Sequence, residues 1–202
     1  MTLDDLRSKS LIVTEPLAAL AERAGASPNL ISLLSMIFAL AAGALYYLSA
    51  GEVSLLYLAA LMVLLNSTFD AVDGALARRT EQAEPKGDFL DHVIDRYADM
   101  AILAGIVLAG YVSEAWGIFA VMGVLLTSYL GTQAQALRLG RLYGGIMGRA
   151  DRLILILAAT IANAVFPGYL AGLSILGWAV ILITVASHIT AFQRIVLIWR
   201  ML

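Results

Sequence analysis

Four aspartates, Asp70, Asp73, Asp91 and Asp95, stand three and four residues apart in two short stretches of a chain that is otherwise 61% hydrophobic. On a helix those intervals put each pair on one face, so two neighbouring helices can bring both pairs together. Carboxylates so gathered repel one another, and a single Asp at the centre of a membrane helix costs roughly 2.5 to 3.5 kcal/mol. A cation must sit among them. Carboxylate ligation in a chain without Cys suits hard divalent ions, Mg2+ or Mn2+ ahead of Zn2+, and such ions hold phosphates. Gly74, beside Asp73, and Ala77, one turn away, leave room for a ligand to approach the backbone closely. Arg78 adds a planar fork suited to a phosphate.

The elements that position these residues follow from composition and periodicity. The chain has 202 residues, a mean hydropathy of +0.86 and a formal charge of -2. It reads as one all-α membrane domain crossing the bilayer repeatedly. No basic aromatic patch invites nucleic acid, and without Cys there is no disulfide or thiol chemistry. The acidic start, Met1 to Asp5, does not have the form of a cleavable signal.

Residues 1–26 are expected to form an N-terminal juxtamembrane segment. Its helix, opened by Thr14-Glu15-Pro16, places Leu17, Leu20 and Ala24 on one stripe and lies on the membrane surface. The membrane domain, 27–202, opens at Ser27-Pro28-Asn29, a capping residue followed by proline. Six spans are expected. They run Leu30 to Ala50; Val53 to Phe69, with the first acidic pair in the last turns; from near Pro85 to Asp88 on to about Val112; Ala115 to Leu137; Leu153 to Val165; and Leu170 to Gln193. Every Lys and Arg falls on one side of this layout, from Arg7 through Arg78, Arg96 and Arg149 to Arg200, while the opposite turns hold only Glu52 and Glu114. By that asymmetry both termini and the acidic site face the cytoplasm.

The full pattern, Asp70, Asp73, Gly74, Ala77, Arg78, Gly87, Asp91 and Asp95 with fixed gaps, resembles the signature of the CDP-alcohol phosphotransferase family of membrane enzymes. The resemblance implies a reaction in which a CDP-linked lipid, CDP-diacylglycerol or CDP-archaeol, passes its phosphatidyl-type group to a small alcohol and releases CMP. It implies metal ligation by Asp70, Asp73, Asp91 and Asp95, nucleotide binding by Asp73, Gly74, Ala77 and Arg78, Asp95 as general base, and a homodimer in the cell membrane. Asp88 and Asp99 lie outside the pattern. His92 is expected as a polar neighbour rather than a ligand, and His188 as a hydrogen-bonded interior histidine. Asn66 can orient a carboxylate or bond nearby backbone.

The acceptor is read from the glycine-rich link. Arg149 and Arg152, three apart where the fifth span begins, with Arg138 and Arg141 on the same link, suit an acceptor that carries its own phosphate. The run Gly145 to Leu155 resembles the matching segment of phosphatidylinositol-phosphate and archaetidylinositol-phosphate synthases, which makes inositol phosphate the expected acceptor. Gly131, Gln133 and Gln135 stand where basic residues are expected in those enzymes, so glycerol phosphate or serine is the alternative. A cation-coupled transporter, the rival from another class, would show mid-membrane acids and an internal repeat. Neither is visible in the sequence.

Overall fold

The computed structural model describes residues 14–82, 84–140, 142 and 144–202, so the first half of the juxtamembrane segment lies outside the described residues. Among those described, seven helices account for most of the chain. Helix α1 covers 14–23. The others are α2 (Pro28–Leu48), α3 (Leu55–Arg79), α4 (Pro85–Leu108), α5 (Glu114–Ala136), α6 (Arg149–Val165) and α7 (Ile175–Met201). Four of them, α2, α3, α5 and α7, are long and apolar enough to cross a membrane. Helix α4 carries Lys86, Asp88, Asp91, Asp95, Arg96 and Asp99, and α6 has 17 residues with three charges in its first turn, so neither meets that standard by itself.

Local chemistry sets the boundaries. Ser27 accepts from the Leu30 amide at 3.3 Å and Pro28 occupies the first turn of α2, which fixes where the helix begins. Helix α3 continues without a break from the apolar run through Asp70 and Asp73 to Arg79. The expected start of the fifth span at Leu153 is corrected to Arg149, because Asp151 Oδ2 accepts from the Gly148 amide at 2.8 Å and adds a turn. The sixth span starts at Ile175 rather than Leu170. A two-stranded hairpin, β1 (Tyr169–Leu170) against β2 (Leu173–Ser174), takes up the intervening residues, with Ala171 and Gly172 at positive φ in its turn.

Helix α2 lies between α3 and α4, α5 packs on α7, and α6 bridges α3 and α7. Between membrane helices close approach depends on small residues. Gly105 of α4 lies so close to Gly43 of α2 that a methyl group there would meet the Gly43 carbonyl. That contact lies near the C-terminal end of α4, and with Ala39, Ala42, Ala98 and Ile102 in the same core it fixes α2 against α4. At the acidic end α1 packs Ala18 against Ile31, Val72, Ala75 and Leu76. Its Glu22 pairs with Arg79 Nε, and Glu15 lies 3.6 Å from Arg79 Nη1. Leu17 and Leu20 face away from the chain.

Candidate active site

The last turns of α3, the first half of α4 and the start of α6 come together at one end of the bundle. A cavity of about 560 Å³ opens there, lined by Asp73, Gly74, Ala77 and Arg78 from α3, Asn29 and Ser32 from α2, and Lys86, Gly87, Asp88 and Asp91 from the start of α4. Gly74 presents bare backbone to it, since an added methyl would approach only Arg78 Nη1, at 3.5 Å. Asp73 is buried, and Ser32 Oγ donates to its Oδ2 at 2.6 Å. That hydroxyl fixes one motif carboxylate from a helix 41 residues away in sequence, a partner that motif spacing does not reveal.

Beside the cavity Asp70 and Asp95 meet arginines. Arg149 Nη1 lies 2.6 Å from Asp70 Oδ2 and 2.8 Å from Asp95 Oδ1, and its Nε lies 3.5 Å from Asp99 Oδ1. Arg96 Nη2 donates to Asp95 Oδ2 at 2.9 Å. Arg152 Nη2 donates to Asp99 Oδ2 at 2.7 Å, and both side chains of that pair are almost wholly buried. The structure therefore separates the two arginines expected to act together. Arg149 reaches the motif acids, while Arg152 is turned inward to Asp99. Arg138 is exposed in a left-handed turn with φ 61°, and Arg141 lies outside the described residues.

The residues suit a divalent cation. Asp70 Oδ1 and Asp95 Oδ1 are buried without a hydrogen-bond partner, the condition of oxygens shaped for a metal rather than for a donor. Ligand atoms of Asp91, His92 and Asp95 lie within 4.8 Å of one another, so His92, set aside in the sequence, stands at the edge of the cluster. It reaches there because it is adjacent to Asp91 and one turn from Asp95 on α4, and its Nε2 also lies 3.9 Å from Asp88 Oδ2. Farther off, Asn66 donates to the Ser35 carbonyl at 3.0 Å and so braces α2 against α3. His188 Nε2 bonds the Phe119 carbonyl at 3.0 Å, as expected of a hydrogen-bonded histidine, but it is only half-buried rather than interior.

The model of the family described as CDP-alcohol phosphatidyltransferase matches residues 26–189. The archaetidylinositol phosphate synthase of Pyrococcus horikoshii is 33% identical over 171 residues, which cover 85% of this chain and 82% of that protein. The phosphatidylinositol phosphate synthase of Mycobacteroides abscessus is 33% identical over 190 residues, 90% of this chain and 81% of that one. Among solved structures, the Mycobacterium tuberculosis phosphatidylinositol phosphate synthase with CDP-DAG bound superposes with a TM-score of 0.75 at 26% identity, covering 93% of this chain and 94% of that chain. The same enzyme in complex with manganese and citrate gives 0.77 at 26% identity, covering 93% and 89%.

Proposed function

The chain belongs to the CDP-alcohol phosphatidyltransferase family, and from that premise we propose that it moves the phosphatidyl-type group of CDP-diacylglycerol or CDP-archaeol to inositol phosphate, releasing CMP. The observation that carries this reading is the juxtaposition of a nucleotide-sized cavity, an acidic cluster and a buried arginine at one end of the bundle. The names of the relatives support inositol phosphate as the acceptor, and the CDP-DAG and manganese complexes of the solved neighbour support the lipid donor and the metal.

Asp70, Asp73, Asp91 and Asp95 would hold Mg2+ or Mn2+, whose charge offsets that of the diphosphate and of departing CMP. Gly74 and Ala77 let the nucleotide lie against the α3 backbone, and Arg78 donates to its phosphates. Ser32 keeps Asp73 in place. Asp95, its Oδ2 engaged by Arg96, takes the proton of the attacking hydroxyl. Arg149 meets the acceptor's phosphate, and Arg152 acts through Asp99 to hold that corner of the site. Arg138 and Arg141 draw the anion toward the mouth.

This reading includes six spans. Helix α4, with 24 residues, is about 36 Å long and α6, with 17, about 25 Å, lengths that cross or nearly cross a bilayer core when the acids of α4 face the site inside the bundle rather than lipid. Residues 1–26 remain a juxtamembrane unit with Leu17 and Leu20 toward lipid, 27–202 the membrane domain, and the site faces the cytoplasm. The homodimer comes from the family resemblance.

The test is a panel of alcohols given to the purified protein with CDP-lipid and Mg2+, following CMP release. Inositol phosphate should be used in preference to glycerol phosphate and serine. Arg149→Ala should raise the acceptor KM at least tenfold and leave the CDP-lipid KM nearly unchanged, since a charge-assisted hydrogen bond contributes about 1.5 to 3 kcal/mol. Serine reacting as well as the phosphorylated polyols would contradict the acceptor assignment and leave the family reaction in place.

A further inference from the structure

Arg149 is an imperfect partner for the acids around it, and the imperfections have opposite signs. Its Nε and Nη2 are buried without hydrogen-bond partners, and so are Asp70 Oδ1 and Asp95 Oδ1. The nearest approaches, Nη1 to Asp70 Oδ2 and to Asp95 Oδ1, are ion pairs at 2.6 and 2.8 Å, and the second lacks hydrogen-bond alignment. Buried polar atoms left unpaired are costly. The oxygens call for a further cation, and the guanidinium calls for an anionic oxygen. A planar fork cannot supply the first and has nothing among these acids to complete the second. A divalent ion close to the same carboxylate oxygens would repel the guanidinium nitrogen now beside them. Asp99 Oδ1 lies 3.5 Å from Arg149 Nε, an ion pair without a hydrogen bond, and Asp99 is itself held by Arg152 at 2.7 Å. The root of the guanidinium thus has an anchor that the motif acids do not provide.

We propose that Arg149 is an exchangeable cation: a divalent metal arriving at Asp70 and Asp95 displaces its tip, which turns about the Asp99 anchor to receive the acceptor's phosphate, so that metal loading completes the acceptor site. This inference rests on the reading that the acceptor is a phosphorylated polyol. Linkage makes the coupling reciprocal, and the acceptor must tighten the metal by the same factor as the metal tightens the acceptor.

The experiment is calorimetric titration of the purified full chain with Mn2+, with inositol phosphate, and with each in the presence of the other, for the wild type, Arg149→Gln and Arg152→Gln. In the wild type each ligand should tighten the other at least tenfold. Arg149→Gln should bind Mn2+ several-fold more tightly than the wild type and lose the coupling, whereas Arg152→Gln should show no such gain in Mn2+ affinity. Weaker Mn2+ binding by Arg149→Gln would overturn the proposal, because Arg149 would then be building the metal site rather than competing for it. An equal gain in Arg152→Gln would overturn it too, as an effect of net charge. If Arg149→Gln does not fold, the wild type decides, and independent binding of the two ligands contradicts the coupling. Inositol phosphate failing to bind with or without Mn2+ would refute the acceptor assignment, while the Mn2+ affinities of the variants would still judge the displacement.

Discussion

Asp73 and Ser32 carry the clearest lesson at the scale of single residues. The carboxylate was legible in the sequence because its motif is local and its neighbours stand at helical intervals. Its partner was not, since Ser32 reaches it from a different helix. The same holds for Arg149 and Asp99: the sequence pointed to Arg149 and left Asp99 outside the motif, and only folding brings α6 against the acids of α3 and α4. Ser32 Oγ holds Asp73 by a short hydrogen bond to a charged acceptor, a kind that contributes about 1.5 to 3 kcal/mol. Ser32→Ala should therefore lower kcat/KM for the CDP-lipid about tenfold or more, with helix content unchanged by circular dichroism. Wild-type kinetics in that variant would make the contact one of packing alone.

Helix starts were legible to within a few residues wherever a long apolar run or a capping signal marked them, as at Ser27-Pro28, whereas α3 and α7 run on well past the expected span ends at Phe69 and Gln193, to Arg79 and Met201. The hairpin at 169–174 was not, because two-residue strands are too short to show a period and the adjoining residues are apolar. Nor does a sequence reveal which glycines bring helices together. Gly105 does, against the Gly43 carbonyl, whereas Gly144 has open space around it. Since α2 carries Ser32 and α4 carries Asp91 and Asp95, the spacing of these two helices sets the geometry of the site. Gly105→Ala should cost about 1 to 3 kcal/mol, the usual range for overpacking. A lower unfolding temperature in detergent, together with reduced activity, is the expected result, and Gly144→Ala should leave both unchanged. Equal thermal stability of the two variants would show that α2 and α4 part without penalty.

For the whole molecule, the one-sided distribution of Lys and Arg predicts an orientation that the helix bundle itself does not reveal. Cysteines introduced at Thr80 and Gly144 should react with an impermeant reagent only from the cytoplasmic side, and one at Ser113 only from the other. Labelling of all three from the same side would break the six-span topology. The end of the bundle that gathers the acids is also the end where α1 is fastened to Arg79. On the proposed reading that end carries the chemistry, and the apolar helices hold it at the membrane face. The central claim is that this acidic end uses a divalent metal to transfer a lipid phosphate group. Its most direct test is CMP release from CDP-lipid by the purified protein, first in excess chelator and then with Mg2+ or Mn2+ restored, beside Asp91→Asn. Release should stop in chelator, return with either metal, and be nearly absent in Asp91→Asn at any metal concentration; full release in excess chelator would contradict the account.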